Sequence, residues 1–141
     1  MKLQHQHMST FKSVGRLEYH ENPYKVIVRV DPGISNYYYY QITQLAHIDI
    51  QRQRWAPHIS VVRKEMPRFL NFWKKYEGAK IPFEYEYYVY NDNRYYWLNV
   101  YSPKLEEIRK ELGLTRVSAI TRGPDGKHRF HITIGNTKHV D

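Results

Sequence analysis

The sequence predicts a single α+β domain built on antiparallel sheets. A chain of 141 residues is long enough for one compact domain but too short for two independent ones. Hydrophobic residues make up 41% and aromatic residues 16%, which supplies a core and argues against a disordered chain. Strand-like alternation is interleaved with short helical patterns, and the glycine-rich turns of a nucleotide-binding parallel sheet are absent from the sequence.

The first predicted elements are a strand and a helix. Residues 24–31 (YKVIVRVD) alternate between basic and β-branched types, and Pro32 and Gly33 follow as a turn. Residues 34–45 then carry apolar side chains at helical spacing, with Ser35 or Asn36 as the expected cap. The four consecutive tyrosines at 37–40 are therefore interpreted as part of a helix.

The middle of the chain is predicted to contain a strand, a helix and a hairpin. Residues 57–63 (PHISVVR) have a strand pattern, and 67–76 a helix pattern that starts near Pro67 and stops before Gly78. Strands at 81–90 and 94–101 are joined by Asn-Asp-Asn and are rich in aromatic residues, which favours a hairpin.

The last third is predicted to contain one helix and a final strand. Ser102 is the expected cap of a helix whose first residue is Pro103 and whose end is marked by Gly113. A short strand is predicted at 117–121, a loop at 122–126, and the last strand at 129–135 (RFHITIG).

The charge and the residue types limit the classes of function. Lysine and arginine outnumber the acidic residues, for a net charge of +8, which favours an anionic partner such as a nucleotide or nucleic acid. The absence of cysteine excludes disulfides, thiolate nucleophiles and cysteine-based zinc sites. With no long apolar run and no secretory signal, we expect a soluble, intracellular protein. Residues 1–7 resemble an expression leader, with the domain proper at 8–141.

Two similar segments carry the candidate chemistry. His58-Ile-Ser60 and His131-Ile-Thr133 each place an imidazole two residues from a hydroxyl, and in a strand such residues share one face. A neutral imidazole can accept a proton from a ribose 2′-OH while an imidazolium protonates the leaving oxygen. The hydroxyls of Ser60 and Thr133 can donate hydrogen bonds to the phosphate oxygens. This scheme requires no metal and no other cofactor.

One such tripeptide alone would be weak evidence, and the sequence also offers two alternatives. His47-Ile-Asp49 has the same spacing but ends in a carboxylate, which would repel a phosphate, so it is interpreted as structural or at most as an orienting group. A metal site at His58 and His131 is conceivable, but no neighbouring pattern of Asp, Glu or Cys supplies further ligands.

The two motifs resemble the signature of the 2H phosphoesterase superfamily, in which His-x-Thr/Ser-x occurs twice. The resemblance implies a bilobal α+β fold, with two antiparallel sheets in pseudo-twofold lobes around a central cleft and helices outside. Residues 57–65 and 129–136 look most like small phage members, including the anti-CBASS phosphodiesterases that degrade cyclic oligonucleotide signals. Ser60 stands where many members have Thr, but the hydroxyl is retained.

Further residues are candidates for substrate binding. Trp55, Tyr96 and Trp97 could stack on a base, although such side chains usually belong to the core. Basic side chains flank the second motif and could hold phosphate, with ordinary surface charge as the alternative. These are Arg122, Lys127 and Arg129.

The leading hypothesis is a metal-independent phosphodiesterase that opens cyclic di- or trinucleotides, in the host bacterial cytoplasm if the protein is phage-encoded. The alternatives are an RNA-processing 2′,3′-cyclic phosphodiesterase, an RNA 2′-5′ ligase-like protein, a 2′,5′-oligoadenylate phosphodiesterase, or a non-catalytic nucleic-acid-binding module. Pure binding needs no matched imidazole–hydroxyl pairs, which disfavours the last. Base preference, linkage preference, oligomeric state and the division of acid and base roles are left open by the sequence.

Overall fold

The computed structural model describes residues 9–118 and 129–140, which form seven strands and two α-helices. The strands are β1 (Thr10–His20), β2 (Lys25–Arg29), β3 (Gln51–Arg52), β4 (His58–Val62), β5 (Lys80–Asn91), β6 (Tyr95–Tyr101) and β7 (Phe130–Asn136). The helices are α1 (Pro32–Tyr40), which continues into a π-helical turn (Gln41–Leu45), and α2 (Pro103–Glu111). A 3₁₀ turn (Lys138–Val140) follows the last strand.

All strands pair antiparallel in one sheet that closes on itself. Their order is β3-β7-β4-β2-β1-β5-β6, and β6 also pairs with β7. The predicted α+β class with antiparallel pairing is therefore confirmed. Hydrogen bonding joins the strands into one closed sheet instead of the two sheets that were expected, so the pseudo-twofold relationship stays a prediction.

The core lies on one face of this sheet, beneath the two helices. Apolar side chains alternate with polar ones along the strands, as expected for a sheet with one buried face. Helix α1 contributes Tyr38 to the core, α2 contributes Leu105 and Ile108, and Leu112 joins them just after α2 ends. The opposite face of the sheet is consequently available for a site.

Both helices begin at side-chain caps. In α2 the Ser102 hydroxyl accepts a hydrogen bond from the Leu105 amide at 3.3 Å, as the sequence predicts. In α1 the cap is Asp31, whose carboxylate accepts from the Gly33 amide at 2.9 Å. The prediction of Ser35 or Asn36 as cap was wrong because the carboxylate of Asp31 and the preset backbone of Pro32 start the helix earlier.

The helix predicted at 67–76 is not formed. Residues 71–78 make successive turns, and Lys74 and Gly78 both have positive φ, which interrupts a right-handed helix. The indole of Trp73 packs edge-on against the ring of Tyr19 and donates a hydrogen bond to Glu21 at 2.7 Å. These contacts with β1 and the turn after it replace the helical arrangement.

A buried arginine fixes the end of β4 to α2. Arg109 is fully buried, and its guanidinium makes two hydrogen bonds of 2.8 Å to the Glu65 carboxylate. The same group donates to the Val61 carbonyl of β4 at 2.7 Å. The strand that carries the first motif is thereby tied to the helix beneath it.

Some sequence-based predictions fall outside the described residues. The leader at 1–7 does, as do the predicted loop at 122–126 and most of the short strand predicted at 117–121. Among the helices that are described, none has the length and apolar character needed to cross a membrane.

Candidate active site

The two His-x-Ser/Thr motifs lie side by side on neighbouring strands. Ile59 of β4 is paired directly with Ile132 of β7, and both side chains are fully buried in the core. Because successive strand residues point to opposite faces, the polar residues on either side of each isoleucine share the other face. They are His58, Ser60, His131 and Thr133.

The antiparallel register arranges these four side chains crosswise. Extending the pairing of Ile59 with Ile132 by one residue in each direction sets His58 opposite Thr133 and Ser60 opposite His131. Cβ atoms of directly opposite residues are about 5 Å apart. All four side chains are partly buried. The arrangement is a compact square with an imidazole and a hydroxyl at alternating corners.

Each imidazole is held by the backbone two residues before it. The Nδ1 of His58 lies 2.8 Å from the Ala56 carbonyl oxygen. Since a carbonyl only accepts, Nδ1 carries the proton, and Nε2 is left to face a ligand. His131 makes the corresponding hydrogen bond to the backbone of Arg129. The two motifs thus share their orienting contact as well as their residue types.

The environment favours the neutral form of both imidazoles. Burial is the main cause that lowers the pKa of His58 below 6.5, and it outweighs the opposing hydrogen bond to Ala56. Burial also lowers the pKa of His131, and the charges of Arg63 and His58 lower it further. The two histidines are therefore close enough to influence each other's protonation.

The hydroxyls of the square are available to a ligand. Within the described residues, neither Ser60 Oγ nor Thr133 Oγ1 is hydrogen-bonded to another protein group. Both hydroxyls can donate to an oxygen anion placed over the square.

Strand β6 places two further side chains, which we call the β6 pair (Trp97 and Asn99), next to the motif residues of β7. Trp97 pairs with Thr133 and Asn99 with His131, so their side chains share the face of the square. Asn99 is only 3% exposed, and its Oδ1 accepts a hydrogen bond from Trp97 Nε1 at 3.1 Å. In the described part of the chain, the Nδ2 group of Asn99 has no protein acceptor. Asn99 is thus a buried amide with free donors beside His131.

Three side chains of β5 and β6 (Glu86, Tyr90 and Tyr101) pack next to the β6 pair. The Glu86 carboxylate is buried and accepts hydrogen bonds from the hydroxyls of Tyr90 and Tyr101. The ring of Tyr90 stacks on Trp97, whose indole meets the His131 ring edge-on, with centroids 6.4 Å apart in each pair. This chain of contacts restrains the orientation of the His131 ring.

Cations border the square on the side of β4. Arg29 of β2 pairs directly with His58, and the charges of Arg29, Lys25 and Arg63 all lower the pKa of that histidine. The three basic side chains are exposed. An anion bound over the square would therefore meet positive charge from this side.

The aromatic residues proposed as base-stacking groups have three different environments. Trp55 is 68% exposed in the segment before β4, with the Arg54 guanidinium 5.7 Å from its ring. Tyr96 is partly buried and packs against the core. Trp97 is 7% exposed and lies between Tyr90 and His131. Of the three rings, that of Trp55 is the most exposed.

The basic residues predicted to flank the second motif are partly described. Arg129 lies at the start of β7 with its guanidinium 5.6 Å from the ring of Tyr101. Arg122 and Lys127 lie outside the described residues. The alternative motif His47-Ile-Asp49 lies between the π-helical turn and β3, and Asp49 pairs with His139 at 3.0 Å; its structural interpretation stays a prediction.

A cavity elsewhere in the structure lies apart from the four motif residues. A cavity of about 610 Å³ lies between α1, β1 and β5, with Tyr37, Tyr85 and Tyr87 in its wall, and none of the four motif residues lines it. Among the described residues, no group of three or more His, Cys, Asp or Glu is placed to hold a metal ion. The chemistry of the donor set is that of imidazole, hydroxyl and amide.

Sequence reasoning missed Arg29, Lys25, Arg63 and Asn99. Strand β2 was predicted, but its pairing with β4 depends on tertiary structure and leaves no local signal. In the predicted strand, Asn99 shares a face with two aromatic residues, Trp97 and Tyr101, which stand two positions before and after it. A polar residue at a position expected to be buried was the one signal that could have singled it out.

Comparison with known proteins identifies one family. The family described as "Swiss Army Knife, 2H phosphoesterase domain" matches residues 34–140, about three quarters of the chain. This match contains both histidine motifs and the two α2-flanking strands β6 and β7. No curated protein and no solved structure matches the chain.

Proposed function

Because the chain belongs to the 2H phosphoesterase family and is a phosphodiesterase, we propose that it opens cyclic di- or trinucleotides at their 3′-5′ bonds. The observation that carries this proposal is the pairing of Ile59 with Ile132, which brings the two motifs into one square. The nucleophile in this scheme is the 2′-OH next to the scissile phosphate. The substrates are the class of signals used in bacterial CBASS immunity, and their breakdown in the bacterial cytoplasm would serve viral evasion.

The proposed reaction uses the two histidines as base and acid. One neutral imidazole accepts the proton of the 2′-OH, and the 2′ oxygen forms a bond to phosphorus. The bond from phosphorus to the 5′ oxygen breaks, and the other histidine, as imidazolium, protonates that oxygen. The products are a linear chain with a 5′-OH and a 2′,3′-cyclic phosphate. No water and no metal ion enters the bond-breaking step.

The hydroxyls and the Asn99 amide have a separate role in this proposal. Negative charge gathers on the non-bridging phosphate oxygens as the 2′ oxygen attacks. Ser60 Oγ, Thr133 Oγ1 and Asn99 Nδ2 can donate to those oxygens from fixed positions on the strands. Donors that are already in place need no reorganisation during the reaction, which makes them effective in a partly buried site.

Several features support an oligonucleotide as substrate. The net charge of +8 suits a polyanion, and the cations Lys25, Arg29 and Arg63 border the square. The exposed ring of Trp55 precedes the first motif and can stack on a base. In the bilobal arrangement proposed for the fold, the square forms the base of the cleft. Of the flanking cations, Arg122, Lys127 and Arg129 are proposed to contact phosphate, and Arg129 also orients His131 through its backbone.

One substrate panel tests the proposal. The protein is incubated in EDTA with 3′,3′-cyclic dinucleotides, their 2′-deoxy analogues, 2′-5′ oligoadenylate and a 2′,3′-cyclic nucleotide, and the products are separated by chromatography. We expect linearisation of a 3′,3′-cyclic dinucleotide and no reaction of its deoxy analogue, which lacks the nucleophile. Equal cleavage of the deoxy analogue would show direct attack by water and overturn the mechanism. Cleavage of 2′-5′ oligoadenylate alone would replace the proposed substrate.

A further inference from the structure

A row of cations crosses the sheet from the first histidine. Arg29 on β2 is paired with His58, Arg16 on β1 is paired with Arg29, and Lys80 on β5 is paired with Arg16. Directly paired residues share a face, so these side chains all project on the side of the catalytic square. All three are exposed. Neighbouring strands are about 4.8 Å apart, which puts the backbone of Arg16 about 10 Å from that of His58.

Arg29 is oriented by an acidic neighbour. Its Nε donates to Glu18 Oε2 at 2.9 Å, and Glu18 also contacts His20 at 3.2 Å through its other oxygen. In the described residues, the two terminal nitrogens of the Arg29 guanidinium have no protein acceptor. A guanidinium held at Nε with both ends free has the geometry for a bidentate contact with a phosphate.

Arg16 is held in a similar way. Its Nη1 donates to the Gly78 carbonyl, just before β5, at 3.0 Å, which holds the guanidinium on the side of β1 that faces β5. The acidic group that faces this pair is Glu18, so the row keeps a net positive charge. Arg29 attracts any anion over the square at longer range, but the direct donors to the scissile phosphate are the hydroxyls of the square and Asn99.

We propose that Arg29 and Arg16 form a subsite for the second phosphate of the substrate, the one that is not cleaved. This inference rests on the proposed function. It defines the substrate class as one with at least two phosphodiester groups and explains how the protein prefers it over a molecule with a single phosphate. Arg29 binds the phosphate oxygens in a bidentate contact, and Arg16 adds charge from the next strand.

The test compares two substrates that share the scissile bond. A dinucleoside monophosphate has one phosphate, and the 3′,3′-cyclic dinucleotide of the same bases has two. Arg29→Gln should lower kcat/KM for the cyclic dinucleotide about tenfold more than for the monophosphate, since a charge-assisted contact is lost only with the second phosphate. Each variant is assayed at its own pH optimum, because Arg29 also influences His58.

The matched control is Lys110→Gln, which removes the same charge from an exposed position on α2, the helix under the core face. It should leave both substrates unaffected. An equal loss with both substrates in Arg29→Gln would overturn the subsite while leaving the proposed function intact. An unchanged preference for two phosphates in that variant would also overturn it.

A binding measurement separates the subsite from catalysis. The uncleaved 2′-deoxy cyclic dinucleotide is titrated into wild-type protein and Arg29→Gln in a calorimeter, with a thermal melt to establish that the variant is folded. We expect Kd to rise about tenfold in the variant and its dependence on salt to weaken. An unchanged Kd would exclude the subsite. Absence of turnover on every substrate, with Kd still dependent on Arg29, would reject the proposed reaction and retain the subsite.

Discussion

Ile59 on β4 faces Ile132 on β7, and each isoleucine stands between the histidine and the hydroxyl of one motif. Both side chains are fully buried, so the register between the strands is fixed by the core. A slip of one residue would bury the histidines and expose the isoleucines. The packing of two apolar residues therefore sets the positions of four polar ones.

The pH dependence of the reaction should be shifted to acid. Burial lowers the pKa of both histidines below 6.5, so the bell-shaped profile of kcat/KM, which reports the free enzyme, should have its maximum below that value. The two limbs belong to the coupled pair. A bound phosphate favours imidazolium, so the profile of kcat should lie at higher pH. Rates measured from pH 4 to 9 check both profiles, and a flat profile would contradict paired acid–base catalysis.

Arg63→Gln provides a directional test of the same electrostatics. The charge of Arg63 is among the causes that lower the pKa of both His58 and His131. Its removal should move both limbs of the kcat/KM profile to higher pH. Lys110→Gln, on the other side of the sheet, should move neither limb. If the profile of Arg63→Gln superimposes on that of the wild type, the charge of Arg63 lies too far from the histidines to change their pKa values.

Stability should decline in mild acid because of the same two histidines. A histidine whose pKa is lower in the folded state takes up fewer protons than in the unfolded chain between the two pKa values. The free energy of unfolding should therefore fall as the pH drops below about 6.5. Urea denaturation at pH 7 and pH 5 measures this fall. The decline should be smaller in His131→Asn, and an equally steep decline in that variant would assign the effect to other groups.

Asn99 is expected to assist catalysis through its amide donors. Asn99→Asp keeps the acceptor for Trp97 Nε1 but removes the Nδ2 donors and adds a charge that repels phosphate. We expect kcat to fall about 10²-fold in Asn99→Asp, and no less than in Asn99→Ala, because a donor to the transition state is lost. Steady-state kinetics check this. Near wild-type activity in Asn99→Asp would show that Asn99 donates nothing to the transition state and only accepts the hydrogen bond from the Trp97 indole.

The Arg109–Glu65 pair should matter for stability. Arg109→Met leaves the Glu65 carboxylate and the Val61 carbonyl without their donor, so the free energy of unfolding should drop by about 3 kcal/mol. Arg109→Met with Glu65→Met should recover part of this loss. Lys104→Gln, which breaks the exposed pair with Glu107, is the control and should change stability little. Urea denaturation measures all three, and an unchanged midpoint in Arg109→Met would contradict the inferred role.

The sequence was most informative where a single strand or helix carries the signal. The alternation around His58 and His131, the aromatic hairpin of β5 and β6, and the Ser102 cap are local patterns, and the structure has the corresponding elements. The helix predicted at 67–76 failed because tertiary contacts of Trp73 override its apolar spacing. Strand β1 was not predicted, although it pairs with both β2 and β5.

The residues of the candidate site also fall into those that a local pattern reveals and those that only the tertiary structure brings to the site. Its histidines and hydroxyls repeat a motif, so they could be found from the sequence, although their roles remain predictions. Asn99 and Arg29 belong to the site through cross-strand pairing with His131 and His58. Such pairing is set by the closure of the sheet, which the sequence pattern does not specify. Tyr96, predicted to contact a base, is partly buried against the core, and its contact with a base stays a prediction.

The most direct test of the two-histidine mechanism is the turnover of a 3′,3′-cyclic dinucleotide, in EDTA, by wild-type protein, His58→Ala, His131→Ala and the double variant. Each single substitution should lower kcat by about 10²–10⁴-fold because it removes the acid or the base, and the double variant should be inactive. Thermal melts establish that the variants are folded. A folded double variant with near wild-type turnover would contradict the account.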